Sequence, residues 1–201
     1  MITFGIAVLA GGQGVRIGGG KPMRDLGGMT LMDRAVHRAR SWAAPSVLVL
    51  RSSDQPSSAA MTTIYDDPAI PGPLGGLAAA LAWGRDQGRE AVLTLPCDMP
   101  FLPADLPHRL AAALAPDVSV AMAASGDRRH PVCALWRPSA LEVLRQRAAQ
   151  GRLSLNGLAD AAGAAVVSWD DAVPDPFFNI NTPDDLVRAE AWVGDAGRRQ
   201  S

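Results

Sequence analysis

The stretch FGIAVLAGGQGVRIGGGK, residues 4–21, decides the fold of this chain. Its apolar beginning, residues 4–9, predicts a buried strand. The strand is followed at once by a loop that contains six glycines and two cations, Arg16 and Lys21. Glycine lets backbone N–H groups approach oxygen atoms closely, and cations neutralise phosphate charge. The stretch therefore predicts a polyphosphate site at the end of the strand, where the alternative is a flexible surface loop.

The spacing of the glycines excludes two common phosphate-binding motifs. A P-loop would need glycine at Val15 and a hydroxyl residue at Pro22. A dinucleotide fingerprint would need its third glycine one residue before Gly18. A cation inside the loop and a lysine directly after it favour a triphosphate over a dinucleotide, with Arg16 and Lys21 holding its β- and γ-phosphates.

The composition predicts one globular domain over residues 1–193, followed by a polar tail at 194–201 that is expected to fray. Of the 201 residues, 48% are hydrophobic, and a net charge of −1 favours neither nucleic acid nor a membrane as partner. Cys97 and Cys133 lie far apart in apolar segments, which argues against a disulfide framework or a zinc site. With no signal peptide or apolar 18-residue run in the sequence, we expect a cytoplasmic protein.

Apolar runs alternate with helical patterns along the chain. Strands are predicted at 4–9, 46–50, 61–65, 91–95, 118–123, 131–136 and 164–168, and helices at 30–43, 75–87, 104–115, 138–149 and 184–193. This alternation predicts an α/β fold with a mostly parallel central sheet and helices on both faces. Ligands bind such sheets beyond the carboxyl ends of the strands.

Two clusters follow predicted strands in the first half of the chain. The segment DDPAIPGPLGG, residues 66–76, places Gly75 and Gly76 at a helix start where a base or ribose could lie, although a plain turn would also explain it. Asp98 follows the most apolar strand, so its carboxylate is placed to hold Mg²⁺ against phosphates. The alternative for Asp98 is a turn between two prolines.

The second half carries a basic run, GDRRHP at 126–131, and the segment FFNINTP at 177–183. Asn179 and Asn181 would project to one face of an extended segment. Thr182 and Pro183 suit the start of the last helix. The basic run could contact an anion, whereas His130 alone is more often a structural residue.

Five segments of the chain, in this order and at these separations, resemble those of the bacterial molybdenum cofactor guanylyltransferases. The segments are LAGGQGVRIGGGK, PGPLGGL, LPCDMPFLP, RRHPVCALW and FFNINTPDDL. The similarity covers residues 6–191. The first motif is shared by nucleotidyltransferases in general, whereas the later ones are narrower and separate this family from sugar-phosphate nucleotidyltransferases. The resemblance implies a Rossmann-like nucleotidyltransferase fold and transfer of GMP from GTP to the terminal phosphate of molybdenum-loaded molybdopterin, with release of pyrophosphate.

The resemblance also implies roles for individual residues. The GTP site of the family falls on Leu9, Ala10, Gly11, Gly12, Lys21, Asp66 and Asp98. Asp98 would bind Mg²⁺, and Asp66 would lie near the ribose or base, with its neighbour Asp67 an alternative. The second half, with His130, Asn179 and Asn181, would face the pterin. Because the attacking phosphate is already anionic, Arg16, Lys21 and Asp98 would catalyse transfer without a protein base.

Two departures from the family pattern leave alternatives open. The loop is one residue shorter than usual and has Gly20 where an aspartate commonly precedes the lysine, and Leu50-Arg51-Ser52 stands where an asparagine is common. The alternatives are a cytidylyltransferase acting on the same pterin, against which the HPVCALW element argues, a sugar-1-phosphate nucleotidyltransferase, and a non-catalytic GTP-binding cofactor chaperone. The resemblance also allows transient contacts with two further kinds of partner, cofactor-delivery proteins and recipient molybdoenzymes.

Overall fold

A computed structural model describes residues 2–12, 19–169 and 174–198. These residues contain seven strands: β1 (Phe4–Leu9), β2 (Ser46–Leu50), β3 (Thr62–Tyr65), β4 (Ala91–Pro96), β5 (Val120–Ser125), β6 (Arg128–Trp136) and β7 (Ala164–Ser168). Six α-helices in these residues are α1 (Leu31–Ser41), α2 (Pro73–Asp86), α3 (Leu106–Ala113), α4 (Ala140–Ala149), α5 (Leu155–Ala162) and α6 (Pro183–Arg198). A short 3₁₀ helix spans Lys21–Met23.

The strands form one sheet in the order β3-β2-β1-β4-β6-β5-β7. All neighbouring pairs are parallel except the two that involve β6, which runs antiparallel to β4 and β5. The reversal follows from the tight hairpin between β5 and β6, where Gly126 adopts φ 51° and Ser125 pairs with Arg128. The predicted α/β class with a mostly parallel sheet is confirmed.

Helices cover both faces of the sheet, as predicted. Residues of α1 and α3 pack with Ile6 and Val8 on one face, while residues of α2, α4 and α5 pack with Ala7 on the other. Because both faces are covered, every residue of β4 is buried, which explains its unbroken apolar sequence. A strand enclosed in this way holds its carboxyl end, and the residues that follow it, in a fixed position.

The sequence-based prediction missed one helix and misplaced the start of one strand and the end of another helix. The helix α5 was missed, although Ser154 accepts a hydrogen bond from the Gly157 N–H as an N-cap and Gly163 closes the helix in the left-handed region. The strand β6 begins at Arg128, so the basic run lies largely within a strand. The last helix continues to Arg198 beyond the predicted end at 193, and Val193 packs against the cluster around Leu26, Leu31 and Ile180.

Within the described ranges, no helix is both long and apolar enough to cross a bilayer. Cys97 and Cys133 are both buried, and both thiols are free.

Candidate active site

The glycine-rich loop begins at the centre of the sheet. Leu9, the last residue of β1, pairs with Val49 on one side and with Pro96 on the other. The Ala10 N–H donates to the Val49 carbonyl at 2.9 Å, and the Cys97 N–H donates to the Leu9 carbonyl at 3.2 Å. The first loop residues are therefore fixed between the ends of β2 and β4, at the edge where the parallel strands terminate.

Gly11 is required by a close backbone approach. A methyl group at this position would lie 3.0 Å from the backbone nitrogen of Arg51, at the end of β2. No described residue other than its chain neighbours would lie within 4 Å of a methyl group at Gly12, which lines a cleft of about 270 Å³. The cleft is also lined by Ala10, Gly20, Pro22, Met23, Asp54, Gln55 and Pro56. Of the predicted catalytic cations, Arg16 lies outside the described residues.

Lys21 is buried at the start of the 3₁₀ helix, after Gly20 in the left-handed conformation with φ 59°. Its ammonium donates to Asp98 Oδ2 at 2.5 Å, to Asn181 Oδ1 at 2.7 Å and to Asn179 Oδ1 at 3.3 Å. An ammonium has three N–H donors, and each of them meets one oxygen here. The structure thus brings Lys21, Asp98, Asn179 and Asn181 into a single cluster.

Asp98 lies two residues after the end of β4 and fits a divalent cation. While Oδ2 pairs with Lys21, Oδ1 is a buried carboxylate oxygen that accepts no hydrogen bond from the described residues. A buried unpartnered carboxylate oxygen is a costly arrangement unless a further group binds it. The described residues contain no group of three acidic, histidine or cysteine side chains with metal-ligand geometry. Mg²⁺ uses one or two carboxylates and completes its shell with substrate oxygens and water, so the carboxylate of Asp98 with its unpartnered Oδ1 fits this ion.

Both asparagines belong to a segment whose two ends are fixed by side chains. At its start, Asp175 Oδ1 accepts the Phe177 N–H at 2.9 Å. At its end, Thr182 and Asp185 cap α6 reciprocally, because the Asp185 N–H donates to Thr182 Oγ1 at 3.2 Å and the Thr182 N–H donates to Asp185 Oδ2 at 2.9 Å. Between them, the Ile180 N–H donates to the Asp98 carbonyl at 3.0 Å. This last bond holds the segment against the end of β4.

His130 packs against the same segment through the ring of Phe177. It is 2% exposed, stacks on Phe177 with ring centroids 4.8 Å apart and lies 2.9 Å from Ser125 Oγ through its Nε2. Ser125 Oγ also donates to Asp175 Oδ2 at 3.2 Å. Burial lowers the pKa of His130 to about 4, helped by the Arg128 charge and opposed by Asp175, so the ring is neutral at pH 7. Within the described ranges, no hydrogen bond or ion pair joins His130 to Lys21 or Asp98.

Asp66 and Asp67 differ in what their carboxylates contact. The Asp67 carboxylate accepts the Ala69 N–H at 3.0 Å, as in an Asx turn. The Asp66 carboxylate lies against the first turn of α2, where a methyl group at Gly76 would be 3.0 Å from its Oδ1. Burial raises the pKa of Asp66, and Arg51 opposes the shift. Asp66 is therefore the carboxylate of this pair that is not occupied by a local turn.

The main feature that sequence reasoning missed is the contact of both asparagines with Lys21. Their alternation with Ile180 correctly predicted a common face. No local pattern indicated which residue that face would meet, because Asn179 lies 158 residues from Lys21 along the chain.

Comparison with known proteins agrees with these features. The family model of the MobA-like NTP transferase domain matches residues 6–162. The chain is 38% identical over 192 residues to the molybdenum cofactor guanylyltransferase of Nitrobacter hamburgensis, covering 91% of each chain.

Two solved structures show the same architecture. Molybdopterin-guanine dinucleotide biosynthesis protein A from Archaeoglobus fulgidus superposes with a TM-score of 0.81 at 26% identity, covering 95% of this chain and 99% of its own. A Mycobacterium tuberculosis protein solved as a complex with manganese superposes with a TM-score of 0.69 at 15% identity, covering 94% and 98%. The second similarity concerns the fold alone.

Proposed function

The chain belongs to the MobA-like NTP transferase family, and on that premise we propose that it transfers GMP from GTP to the terminal phosphate of molybdenum-loaded molybdopterin. It is a nucleotidyltransferase, and the products would be molybdopterin guanine dinucleotide and pyrophosphate. The observation that carries the proposal is the pairing of Lys21 with Asp98 beside a glycine-rich loop at the carboxyl edge of the sheet.

In the proposed reaction an oxygen of the pterin's terminal phosphate attacks the α-phosphorus of GTP. The new P–O bond forms as the bond from the α-phosphorus to the bridging oxygen of the β-phosphate breaks, and the electron pair leaves with pyrophosphate. The nucleophile carries its own negative charge, so the protein needs no general base. What remains for the protein is to align the two phosphates and to stabilise charge on the leaving group.

The described residues can supply both requirements. The backbone of Gly11 and Gly12 would receive the triphosphate, since Gly11 lies close to the backbone at the end of β2 and Gly12 lines the cleft, while the Ala10 N–H is already bonded to the Val49 carbonyl. Lys21 would neutralise the phosphates, and Asp66 would accept a hydrogen bond from the ribose or base. Asp98, with its unpartnered Oδ1, would hold Mg²⁺, which when bound supplies positive charge at the phosphate oxygens. Arg16 adds a second cation by sequence prediction.

The acceptor side of the proposal rests on the second half of the chain. Asn179 and Asn181 share the Lys21 ammonium with Asp98, so a phosphate held by a cation on that carboxylate would meet their amide groups. The direct contact of His130 with the pterin remains a sequence prediction, since its ring is enclosed by Phe177 and Ser125. We also propose a cytoplasmic location, with which two free cysteines agree, and transient contacts with cofactor-delivery proteins or molybdoenzymes.

The decisive experiment measures pyrophosphate release with purified molybdenum-loaded molybdopterin and either GTP or CTP. We expect turnover with GTP to exceed turnover with CTP by at least about tenfold, because the wrong base would leave polar groups of the site without partners. Equal or faster turnover with CTP would indicate the cytidylyltransferase. Release with a hexose 1-phosphate and no pterin would indicate a sugar nucleotidyltransferase, and GTP binding without release under any condition would indicate a chaperone.

A further inference from the structure

The ammonium of Lys21 occupies a cradle of three side-chain oxygens. We call Asp98 Oδ2, Asn179 Oδ1 and Asn181 Oδ1 the oxygen cradle; they lie 2.5, 3.3 and 2.7 Å from Nζ. All three N–H donors are thereby used within the protein, and the side chain is buried. A lysine held in this way has no donor left for a phosphate unless it gives up one of these oxygens.

Lys21 is the only lysine among the 19 lysine and arginine residues of the chain. The physical chemistry of the cradle explains the choice. An ammonium is a compact charge whose three donors diverge, so it can meet three separate oxygens. A guanidinium is a planar fork suited to paired oxygens. The cradle therefore selects a small cation.

A carboxylate and amide carbonyl oxygens are also the ligand types that hard divalent cations prefer. We propose that Lys21 and the divalent cation compete for the oxygen cradle, so that Asn179 and Asn181 belong to the cation site and nucleotide binding, by drawing Lys21 towards its phosphates, prepares that site for the metal. This inference rests on the proposed nucleotidyl transfer.

The charges of the cradle support an ordered exchange. The cradle has one formal negative charge, that of Asp98, and the Lys21 ammonium balances it. A divalent cation added while Lys21 remains in place would meet a site that is already neutral and lies beside a positive charge. A bound triphosphate reverses this balance, because its negative charges attract both the lysine and the metal. Metal affinity should therefore be low without nucleotide.

Manganese binding to the nucleotide-free protein tests the competition directly. Mn²⁺ titration followed by electron paramagnetic resonance should show about tenfold tighter binding to Lys21→Met than to the unsubstituted protein, a coupling in the usual range between two ligands. Arg51→Met is the matched control, since it removes one positive charge from the same edge but outside the cradle, and it should change Mn²⁺ affinity little. Adding Asn181→Ala to Lys21→Met should reverse part of the gain. Equal Mn²⁺ affinity of Lys21→Met and the unsubstituted protein would overturn the proposal.

A second measurement needs no substitution, which keeps the test valid if Lys21→Met fails to fold. Protein labelled with carbon-13 at lysine Cε gives one side-chain resonance in the nuclear magnetic resonance spectrum, since the chain has one lysine. We expect GTP, added with EDTA, to shift that resonance, because Lys21 leaves the cradle before any metal binds. An unchanged resonance at saturating nucleotide would overturn the exchange. A shift with CTP but not with GTP would uphold the exchange and overturn the proposed guanine specificity.

Discussion

Asp98 and Asn181 both accept a hydrogen bond from the Lys21 ammonium, yet they reach it by different routes. Asp98 is fixed by the sheet, because it follows a strand that is buried along its whole length. Asn181 comes from an irregular segment that is held by side-chain contacts at its ends, by the stacking of Phe177 on His130 and by the bond from the Ile180 N–H to the Asp98 carbonyl. The part of the site at the strand ends, which contains Asp98 and is the proposed nucleotide half, is thus preformed by the fold. The part that contains the asparagines is assembled on it.

The difference implies different consequences of mutation. Changes in the nucleotide half should affect chemistry or nucleotide binding while the fold persists. Changes beneath the asparagine segment should act through stability and position. Four predictions test that division.

The largest effect is expected at Asp98. Asp98→Asn keeps the side-chain shape and removes the charge that pairs with Lys21 and would hold Mg²⁺, so kcat should fall on the order of 100-fold or more. The circular dichroism spectrum should stay unchanged. Asp86→Asn is the control, since Asp86 is exposed and pairs only with its neighbour Arg85 in the described residues, and its turnover should be normal. Near-normal turnover of Asp98→Asn would show that the metal assignment is wrong.

Lys21→Ala should weaken GTP binding about tenfold or more, because a charge-assisted contact to the phosphates is lost. Isothermal titration calorimetry with GTP measures the change. Arg85→Ala, an exposed cation at the end of α2, should leave GTP affinity as it is. If Lys21→Ala binds GTP with unchanged affinity, the phosphates are held elsewhere in the loop.

A smaller effect is expected from substitutions at Asp66 and Asp67, which should change different properties of the protein. Asp66→Ala should raise KM for GTP about tenfold, since the lost hydrogen bond would join a charged group to the nucleotide. Asp67→Ala should leave KM unchanged and lower the free energy of unfolding by about 1 kcal/mol, because its carboxylate only closes a turn. Steady-state kinetics and urea unfolding separate the two effects. The reverse pattern would assign the nucleotide contact to Asp67.

The smallest effect on activity is expected at His130, where the pH dependence of stability is informative. The pKa of His130 is lowered to about 4 in the folded protein, whereas an unfolded histidine titrates near 6.5. The unfolded state therefore binds the extra proton between these values, and stability should fall as the pH drops from about 6.5 to about 4.

His130→Phe preserves the stacking on Phe177 and removes the titrating group. The loss of stability on acidification should be smaller in this variant than in the unsubstituted protein, by on the order of 2 kcal/mol. Urea unfolding at several pH values measures this. Identical pH dependence in both proteins would mean that the ring is not held neutral. His130→Ala, which also removes the stacking, should in addition lower kcat by releasing the asparagine segment.

The fold was largely predictable because its signals are local. A buried parallel strand is a continuous apolar run, and each predicted strand overlaps an observed one. The helix α5 was missed because it is short and contains Gly157, which weakens a helical pattern. The start of β6 was misplaced because Arg128 and Arg129 are strand residues with exposed or partly exposed side chains. The last helix was predicted too short because the polar composition of residues 194–201 indicated a fraying tail, whereas the helix continues to Arg198.

The site was predictable where a residue follows a strand and unpredictable where distant segments meet. Asp98 and the loop after β1 could be placed from sequence because strand ends share an edge. The burial of His130 and the contact of two asparagines with Lys21 depend on tertiary contacts. The spacing of these residues along the sequence does not predict such contacts. The choice between Asp66 and Asp67 likewise required knowing which carboxylate the turn uses.

The segment that carries the asparagines begins after the last residue of the family match, residue 162. A protein cut at that point would keep the loop, Asp98 and most of the sheet, but would lack both amides that surround the lysine. We therefore predict that the smallest active piece of this chain is longer than the piece by which its family is recognised. Deletions from the carboxyl end should separate nucleotide binding from turnover before they unfold the sheet.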